Sequence, residues 1–403
     1  MILTRRHLLA AGAATLAAPS LARAQETPGV TATELRIGNT MPYSGPASAY
    51  GSIGRSHEAF FRMINDQGGI AGRKINFITY DDGYSPPKTV EQTRRLVEQD
   101  KVAFTFNQLG TASNSAILRY MNQRKVPHIF LSTGADKWGN YQDTPWTIGW
   151  QPSYRTEAQI YMKHLLEQRP NAKIGLLFQN DDFGKDYVNG VKDVLGARYD
   201  QMVRAVSHEA TDPTIDSQVV TLQQAGCDVM VTATTPKFAA QTVRRVFDVG
   251  WRPAFHYLTN VSISVGTVME PAGPEKGVGI ITSAYLKDPT DPAWDEDKGM
   301  NEWRDFMRRY IPNGDMKDGS YPFAYGIAQT LMHVLEKCRG NFARDNIMKQ
   351  VADIHDFVPA TLIPGIKVAT SATNFHPIRQ MQLQRWTGQT WQRFGGVIEG
   401  ANV

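Results

Sequence analysis

The fold is indicated by one stretch of the chain, Lys173–Ser207, which reads KIGLLFQNDDFGKDYVNGVKDVLGARYDQMVRAVS. Its first apolar run, Lys173–Phe178, has the length of a strand, and the apolar residues of Phe183–Leu195 recur at helical spacing. A second apolar run, Met202–Ser207, predicts another strand. A strand, a helix and a strand in this order predict parallel strands covered by a helix.

The same alternation extends from this stretch in both directions. Toward the C-terminus the pattern predicts helix Ile215–Ala225, strand Val229–Ala233, helix Ala239–Val249 and strand Pro253–Leu258. An earlier series contains four predicted strands separated by helices, namely Leu35–Met41, Lys74–Tyr80, Val102–Phe106 and His128–Leu131. Two such series predict an α/β protein with two Rossmann-like lobes, each built on a parallel sheet. Near the C-terminus, Met381–Trp386 and Trp391–Phe394 predict a β-hairpin.

The composition is that of a folded globular protein. The chain has 403 residues, of which 41% are hydrophobic and 20% are charged, and this excludes a disordered chain. Lys and Arg number 43 and Asp and Glu number 39, which gives a net charge of +4. No stretch reaches about 18 consecutive apolar residues, so we expect no membrane-spanning helix. The two cysteines, Cys227 and Cys338, are too few for a disulfide scaffold, and we expect two free, buried thiols.

The N-terminus has the pattern of an export signal. Arg5 and Arg6 precede an apolar run, Ala10–Ala18, and the small residues of Ala22-Arg23-Ala24 fit a cleavage site. The paired arginines resemble a twin-arginine signal. We therefore predict a signal over the first 24 residues, cleavage after Ala24 and a periplasmic protein. Because the signal carries three Arg and no acid, the mature chain would have a net charge of +1, which argues against nucleic acid or an anionic membrane as a partner.

The sequence lacks the common catalytic and metal-binding motifs. It has no G-x-S-x-G elbow, no H-E-x-x-H pair, no Walker loop and no G-x-G-x-x-G after a strand. Five acidic residues lie between Asp288 and Asp297, but this loop lacks the glycine and the final Glu of an EF-hand. We interpret it as a solvated surface loop, with a calcium site as the alternative. Two α/β lobes without a catalytic constellation favour an exported binding protein, not an enzyme, that uses no cofactor or metal and whose cleft closes on a solute.

Several short motifs together resemble the periplasmic leucine/isoleucine/valine-binding family, the solute receptors of ABC importers with the type I periplasmic-binding fold. The motifs are Ser44-Gly45-Pro46 with Tyr50-Gly51, Asn65–Gly72, Tyr80-Asp81-Asp82, Val126–Ser132, Asp181–Gly184 and Tyr321–Ala328. The resemblance implies a monomer that works with an ABC-transporter permease. It also implies three crossings of the chain between lobes, which we expect near Gly149, Asn260 and Arg379. Residues 25–148 and 260–378 would then form the N-terminal lobe, and residues 149–259 and 379–403 the C-terminal lobe.

The resemblance also implies which residues hold the ligand. Gly110 and Thr111 match residues that bind the ligand carboxylate, and Thr111 begins a predicted helix whose free N–H groups would favour an anion. The segment Gly134–Asp136 matches a second loop for the carboxylate and the ammonium. Aromatic walls are implied at Tyr50, Phe183 and Tyr321, and the crossing loops add Tyr154 and Asn260. Without a ligand role, Thr111 would be a plain N-cap, and Tyr50 and Tyr321 would be core aromatics.

The position of Lys237 determines the ligand expected from the sequence. Amino-acid binders of the family place an acid after the proline of the turn that here is Thr234-Thr235-Pro236-Lys237, and that acid neutralises the ligand's ammonium. A lysine that faces the ligand would instead attract an anion; the alternative is a solvated surface lysine. We therefore expect a hydrophobic or aromatic carboxylate, as in the branch of the family found with lignin-derived aromatic acids. The alternatives are a branched-chain amino acid with Asp136 as its ammonium partner, an amide or urea, and an exported sensory module.

Overall fold

The computed structural model describes residues 27–400, and the predicted export signal with its cleavage site lies outside the described residues. The strands of this part are β1 Glu34–Met41, β2 Lys74–Asp81, β3 Phe104–Phe106, β4 His128–Leu131, β5 Thr147–Gly149, β6 Ile174–Gln179, β7 Val203–His208, β8 Val229–Ala233, β9 Phe255–Leu258, β10 Ile281–Ala284, β11 Gln380–Trp386 and β12 Trp391–Glu399. Its α-helices are α1 Gly51–Asp66, α2 Pro86–Arg94, α3 Thr111–Gln123, α4 Tyr154–Gln168, α5 Asp182–Leu195, α6 Tyr199–Met202, α7 Asp216–Gln224, α8 Pro236–Asp248, α9 Glu270–Ala272, α10 Lys298–Tyr310, α11 Ser320–Lys337 and α12 Arg344–Val351.

Two sheets organise the chain, as the alternation of strands and helices predicts. The first sheet has five parallel strands in the order β2-β1-β3-β4-β5. The second has seven strands in the order β12-β11-β10-β9-β8-β6-β7, in which β6 to β10 are parallel. Strands β11 and β12 form the predicted hairpin and lie antiparallel to each other, and β11 lies antiparallel to β10. The predicted α/β class with two largely parallel sheets is confirmed.

The chain passes between the sheets at three places. It leaves the first sheet after Gly149 and enters the second at Ile174. It leaves the second sheet after Ala284 and returns to it at Gln380. The middle crossing therefore differs from the one expected near Asn260.

Residues 260–284 belong with the second sheet, not with the first as the sequence suggested. After β9 the chain makes short helical turns and then adds β10 between β9 and β11. The physical reason is burial, because Val265 and Val268 share one buried apolar cluster with Ala240 and Val243 of α8. The chain therefore crosses to the other sheet only after residues 260–284 have covered the apolar surface of α8.

Helices cover the sheets and bury their strands. All residues of β3, β4, β5, β8 and β10 are buried, as expected for parallel strands with helices on both faces. Helices α10 and α11 follow the middle crossing and pack on α1, where the Tyr325 ring lies 5.4 Å from that of Phe60 and 5.1 Å from that of Phe306. Cys227 and Cys338 are buried free thiols, as predicted. No helix within residues 27–400 has the length and apolar character needed to span a membrane.

Candidate functional site

A cavity opens between the two sheets at the carboxyl ends of their parallel strands. It encloses roughly 960 Å³ of space, counted up to its open mouth. The loops after β3 and β4 contribute Leu109 and Ser132 from one side, and the loops after β8, β9 and β10 contribute Thr235, Asn260 and Tyr285 from the other. Ligands of open α/β sheets bind at this edge, because loops that leave neighbouring strands in different directions leave a crevice between them.

Six of the ten ligand residues expected from the sequence line this cavity. They are Tyr50, Gly110, Thr111, Tyr154, Phe183 and Asn260. The other four do not line it, namely Gly134, Asp136, Lys237 and Tyr321. The motif positions thus locate the cavity, whereas the side chains that face it depend on the local geometry of each loop and helix.

The N-terminus of helix α3 opens into the cavity. Gly110 is the N-cap residue, with a φ of 99°, and no described side chain accepts a hydrogen bond from the first turn. The N–H groups of this turn are therefore available to a ligand, and the helix dipole favours an anion beside them. Thr111 is the first helical residue and not the N-cap, and its Oγ1 lies 2.6 Å from Oγ1 of Thr133. This geometry can hold a carboxylate through backbone N–H groups.

Six aromatic rings contribute to the cavity wall, those of Tyr50, Tyr84, Tyr154, Phe183, Tyr285 and Phe323. Tyr154 and Phe183 lie with their ring centroids 4.7 Å apart. Tyr285 and Phe323 pack edge-on against the buried Trp150, at 5.9 and 5.6 Å. Burial raises the pKa of the cavity tyrosines above the ordinary value of 10.0, so their hydroxyls are neutral donors or acceptors. Such walls suit an apolar or aromatic ligand body.

A buried carboxylate, that of Glu157, supports the floor of the cavity. It accepts five hydrogen bonds, from the hydroxyls of Tyr161, Tyr187 and Ser283 and from the backbone N–H and side-chain Nδ2 of Asn260. Burial raises the pKa of Glu157 from 4.5 to about 7, and the donors act in the opposite direction. Because Nδ2 of Asn260 points to Glu157, its Oδ1 is buried without a hydrogen-bond partner among the described residues.

Sequence reasoning missed several residues that line the cavity, namely Tyr84, Gln151, Ser264, Tyr285, Asp288, Phe323 and Gln384. Tyr84 has a positive φ of 59°, which is unusual for a residue with a side chain, and its ring lies against Gly110. Its place in the loop after the second predicted strand was a usable signal. The segment from Tyr285 to Asp288 gave none, because β10 before it was not predicted.

Gly134, Asp136 and Tyr321 lie elsewhere than the resemblance implied. Gly134 is behind the wall, where an added Cβ would come 3.0 Å from the ring of Tyr154. Asp136 accepts a hydrogen bond from Ser153 Oγ at 2.7 Å and lines a separate recess. Tyr321 is part of the main buried core, so the core-aromatic alternative applies to it. Asp136 is therefore not placed to meet a ligand ammonium in this cavity.

Lys237 does not face the cavity either. Its Nζ donates a hydrogen bond to the carbonyl oxygen of Asp212 at 2.9 Å and lies over the ring of Phe238 at 4.6 Å. The side chain is exposed, which fits the surface-lysine alternative and not the expected ligand contact. The reason is helical geometry: Thr235, the N-cap of α8, lines the cavity, and two residues further on a helix has turned by about 200°. The turn presents Thr235 inward and Lys237 outward.

The acidic loop Asp288–Asp297 is not simply a solvated surface loop. Asp288 lines the cavity, and burial raises its pKa from 3.8 to about 6. Asp297 accepts a hydrogen bond at 2.8 Å from Nζ of Lys287, the lysine that lines the cavity beside Asp288. Across residues 27–400, no group of three or more His, Cys, Asp or Glu side chains is arranged to hold a metal ion.

Polar contacts join the two sides of the cavity mouth. Tyr50, from the side of the first sheet, donates a hydrogen bond through its hydroxyl to the carbonyl oxygen of Val261 at 2.9 Å. Outside the cavity lining, Lys137, which follows β4 of the first sheet, and Asp182, which follows β6 of the second, form an ion pair at 2.7 Å. The structure therefore has the two sides in contact around the cavity.

Comparison with known proteins identifies the family. A model of the periplasmic binding protein family matches residues 34–390. A curated relative, Leu/Ile/Val-binding protein homolog 7 of Brucella abortus (strain 2308), is 22% identical over 344 residues, which cover 81% of this chain and 82% of that protein. A branched chain amino acid ABC transporter protein from Thermus thermophilus, solved with bound valine, has a TM-score of 0.82 at 13% identity, with 92% of this chain and 98% of that one covered. A fatty acid ABC transporter substrate-binding protein from Thermomonospora curvata has a TM-score of 0.77 at 18% identity, with 94% and 95% covered.

These matches agree with one another and with the architecture. The family model spans all three crossings and every strand except β12, and the two solved structures share the fold over more than nine-tenths of this chain. The cavity between the sheets has the position expected for a solute site. The chain therefore belongs to the periplasmic binding protein family, and it is a solute-binding protein of the ABC-transporter class.

Proposed function

We propose that this protein binds a hydrophobic or aromatic carboxylate in the periplasm and delivers it to the permease of an ABC importer. The observation that carries the proposal is the uncapped N-terminus of α3, which opens into a cavity walled by aromatic rings. Backbone N–H groups at a helix N-terminus bind carboxylates without a basic side chain. The rings would cover the apolar body of the solute and exclude water from it.

The charges around the cavity favour a solute with a single carboxylate. The lysine that lines the described cavity, Lys287, already donates hydrogen bonds to Asp297 and to the carbonyl oxygen of Ala360, both at 2.8 Å. A second anionic group would lie close to Asp288 and would be repelled. The similar structures named above come from a fatty acid transporter and from a protein with bound valine, and both solutes carry one carboxylate.

A branched-chain amino acid is the second candidate. The curated relatives are named as Leu/Ile/Val-binding homologues. An ammonium group could also use the carboxylate of Asp288, which lines the cavity. Without Lys237 or Asp136 in the cavity, the charge of the preferred ligand depends on Lys287, Asp288 and the N-terminus of α3, so the two candidates have to be separated by binding.

A matched set of solutes tests the proposal: 3-phenylpropanoate, its primary amide and leucine. A solute that binds the folded protein stabilises it, by about 2.7 kcal/mol at a hundredfold excess over Kd, and raises its melting temperature. We expect 3-phenylpropanoate to bind and its amide to bind at least tenfold more weakly in calorimetry, because the amide brings no charge to α3. Equal affinity of acid and amide would contradict the carboxylate site. Tight binding of leucine with no effect of 3-phenylpropanoate would select the second candidate.

The transport role also requires motion and export. We propose that the two sides hinge at the three crossings and close over one solute, and that the mature protein is a monomer released by cleavage after Ala24. Small-angle scattering should give a smaller radius of gyration with saturating solute than without it. An unchanged radius at saturation would count against cleft closure. Mass spectrometry of the exported protein tests whether cleavage follows Ala24. Its elution volume in size-exclusion chromatography tests whether the mature protein is a monomer.

A further inference from the structure

One part of the cavity wall carries polar groups that the carboxylate site does not use. It is formed by the segment after β10 together with Gln384 of the adjoining strand β11. The Gln384 side chain lines the cavity, the residue is only 2% exposed, and it makes no side-chain hydrogen bond to a described residue. An amide removed from bulk water without partners is costly, by about 1–3 kcal/mol, so such groups are normally satisfied by a ligand or by ordered water.

Asp288 adds a carboxylate to the cavity wall, and its loop contacts the β11–β12 hairpin through Thr290 and Thr390, whose Oγ1 atoms lie 3.2 Å apart. Thr290 donates to its Oδ1 through the backbone N–H at 2.8 Å and through Oγ1 at 2.5 Å, but no described side chain donates to Oδ2. The neighbouring cations within residues 27–400 are engaged by other acids: Lys287 lies 2.8 Å from Asp297, and Arg393 lies 3.8 Å from Asp291. A carboxylate in this position lacks the cation that would normally accompany it.

The same segment also contributes the hydroxyl of Tyr285, whose electrostatic neighbours are Tyr154, Glu157 and Tyr50. Tyr285 directly follows β10, is 5% exposed and lines the cavity, and its hydroxyl makes no hydrogen bond to a described residue. The carboxylate of Asp288 only accepts while ionised, whereas a tyrosine hydroxyl and a glutamine amide both donate and accept. Asp288 and Gln384 therefore favour a solute group that donates at least one hydrogen bond. An apolar or anionic solute group would leave the carboxylate of Asp288 without a donor.

We propose that Asp288, with Gln384, forms a second polar end of the cavity that binds a hydrogen-bond donor of the solute. The preferred solute is then bipolar: its carboxylate lies at α3, its apolar body lies between the rings, and a hydroxyl or protonated amine lies against Asp288. This inference rests on the proposed carboxylate site and narrows its substrate class. The carboxylate end lies after β3 of the first sheet and Gln384 lies on β11 of the second, so a bipolar solute would also connect the two sides of the closing cleft.

Calorimetry with three related acids tests the second polar end. The probes are 3-phenylpropanoate, its 4-hydroxy derivative and its 4-aminomethyl derivative. We expect the wild type to bind one donor-bearing acid at least tenfold more tightly than the parent acid, and the tighter of the two identifies the donor. In Asp288→Ala this preference should fall to about twofold, with the affinity for the parent acid changed less than threefold. Asp295→Ala is the matched control, because Asp295 is an exposed acid of the same loop that does not line the cavity.

The outcomes separate this inference from the proposed function. Binding of all three acids with equal affinity to the wild type would overturn the second polar end, with water alone satisfying Asp288, and would leave the carboxylate site standing. A preference that persists in Asp288→Ala would overturn it as well. Failure of all three acids to bind the wild type would overturn both proposals. If Asp288→Ala does not fold, Gln384→Met replaces it, because it keeps the backbone pairing of β11, and the same loss of preference is expected.

Discussion

Gly110→Ala is the substitution whose effect on the site can be worked out most directly from the structure. Gly110 has a φ of 99°, a conformation that residues with a Cβ rarely adopt, and it caps the helix whose N–H groups face the cavity. A Cβ at this position would come 2.9 Å from Cε2 of Tyr84, so the ring must move. Gly68 is a matched control, because its φ is 109° and an added Cβ would meet nothing within 4 Å.

The two substitutions share one cost and differ in the other. Forcing alanine into a glycine conformation costs about 1–3 kcal/mol of unfolding free energy in both variants. Only Gly110→Ala adds the cost of overpacking against a ring, about 1–3 kcal/mol. The added methyl group and the displaced Tyr84 also obstruct the place where the carboxylate meets α3. Loss of a charge-assisted hydrogen bond there corresponds to about 1.5–3 kcal/mol, or roughly a ten- to hundredfold loss of affinity.

Urea unfolding and calorimetry on both variants measure these terms. We expect Gly68→Ala to lose stability and to keep the affinity of the wild type for the best carboxylate of the screen. We expect Gly110→Ala to lose more stability and at least tenfold in affinity. Wild-type affinity in Gly110→Ala would show that the solute does not use the N-terminus of α3. An equal loss of affinity in Gly68→Ala would show that the effect is global and not local.

Lys237→Met should leave the affinity for the best carboxylate within twofold of the wild type in calorimetry, because Lys237 donates its hydrogen bond to Asp212 outside the cavity. A tenfold loss of affinity would show that Lys237 contacts the solute. Burial lowers the pKa of His128 from 6.5 to about 3, so below pH 6.5 the unfolded chain takes up a proton that the folded protein does not. The stability contributed by this neutral histidine is present above pH 6.5 and is lost as pH falls, by about 1.4 kcal/mol per pH unit. In His128→Gln, the free energy of unfolding in urea should therefore fall less steeply below pH 6.5 than in the wild type. Parallel plots of unfolding free energy against pH for the two proteins would contradict this. Replacing Arg5 and Arg6 by Lys should block export while the purified mature chain keeps its melting temperature, and an unchanged periplasmic yield would remove the twin-arginine assignment but not the signal.

The sequence was sufficient for the fold class because its signal is local. Runs such as His128–Leu131 and Val229–Ala233 are short, apolar and bounded by polar turns, and the structure has strands at the same residues. The terminal hairpin is equally local, since a Thr-Gly turn separates two short runs that each carry a tryptophan next to the turn, Trp386 and Trp391. Once parallel strands are predicted, their carboxyl-end loops follow as the place for a ligand, and the family resemblance then indicated Gly110, Thr111 and Asn260 within those loops.

Only the tertiary structure decided which side chains of those loops face the solute and where the chain crosses between the sheets. Thr235 and Lys237 stand two residues apart in one turn, and the rotation of the helix sends one inward and the other outward, which no residue type reveals. Strand β10 was not predicted, because four residues that gain their stability from pairing with distant strands carry little local signal. Because β10 belongs to the second sheet, the middle crossing comes after Ala284 and not near Asn260. Asp288, which the sequence placed in a surface loop, then lies in the cavity wall. The polarity of the site is therefore a product of long-range strand pairing and helix orientation, whereas the existence of the site follows from the local alternation of strands and helices.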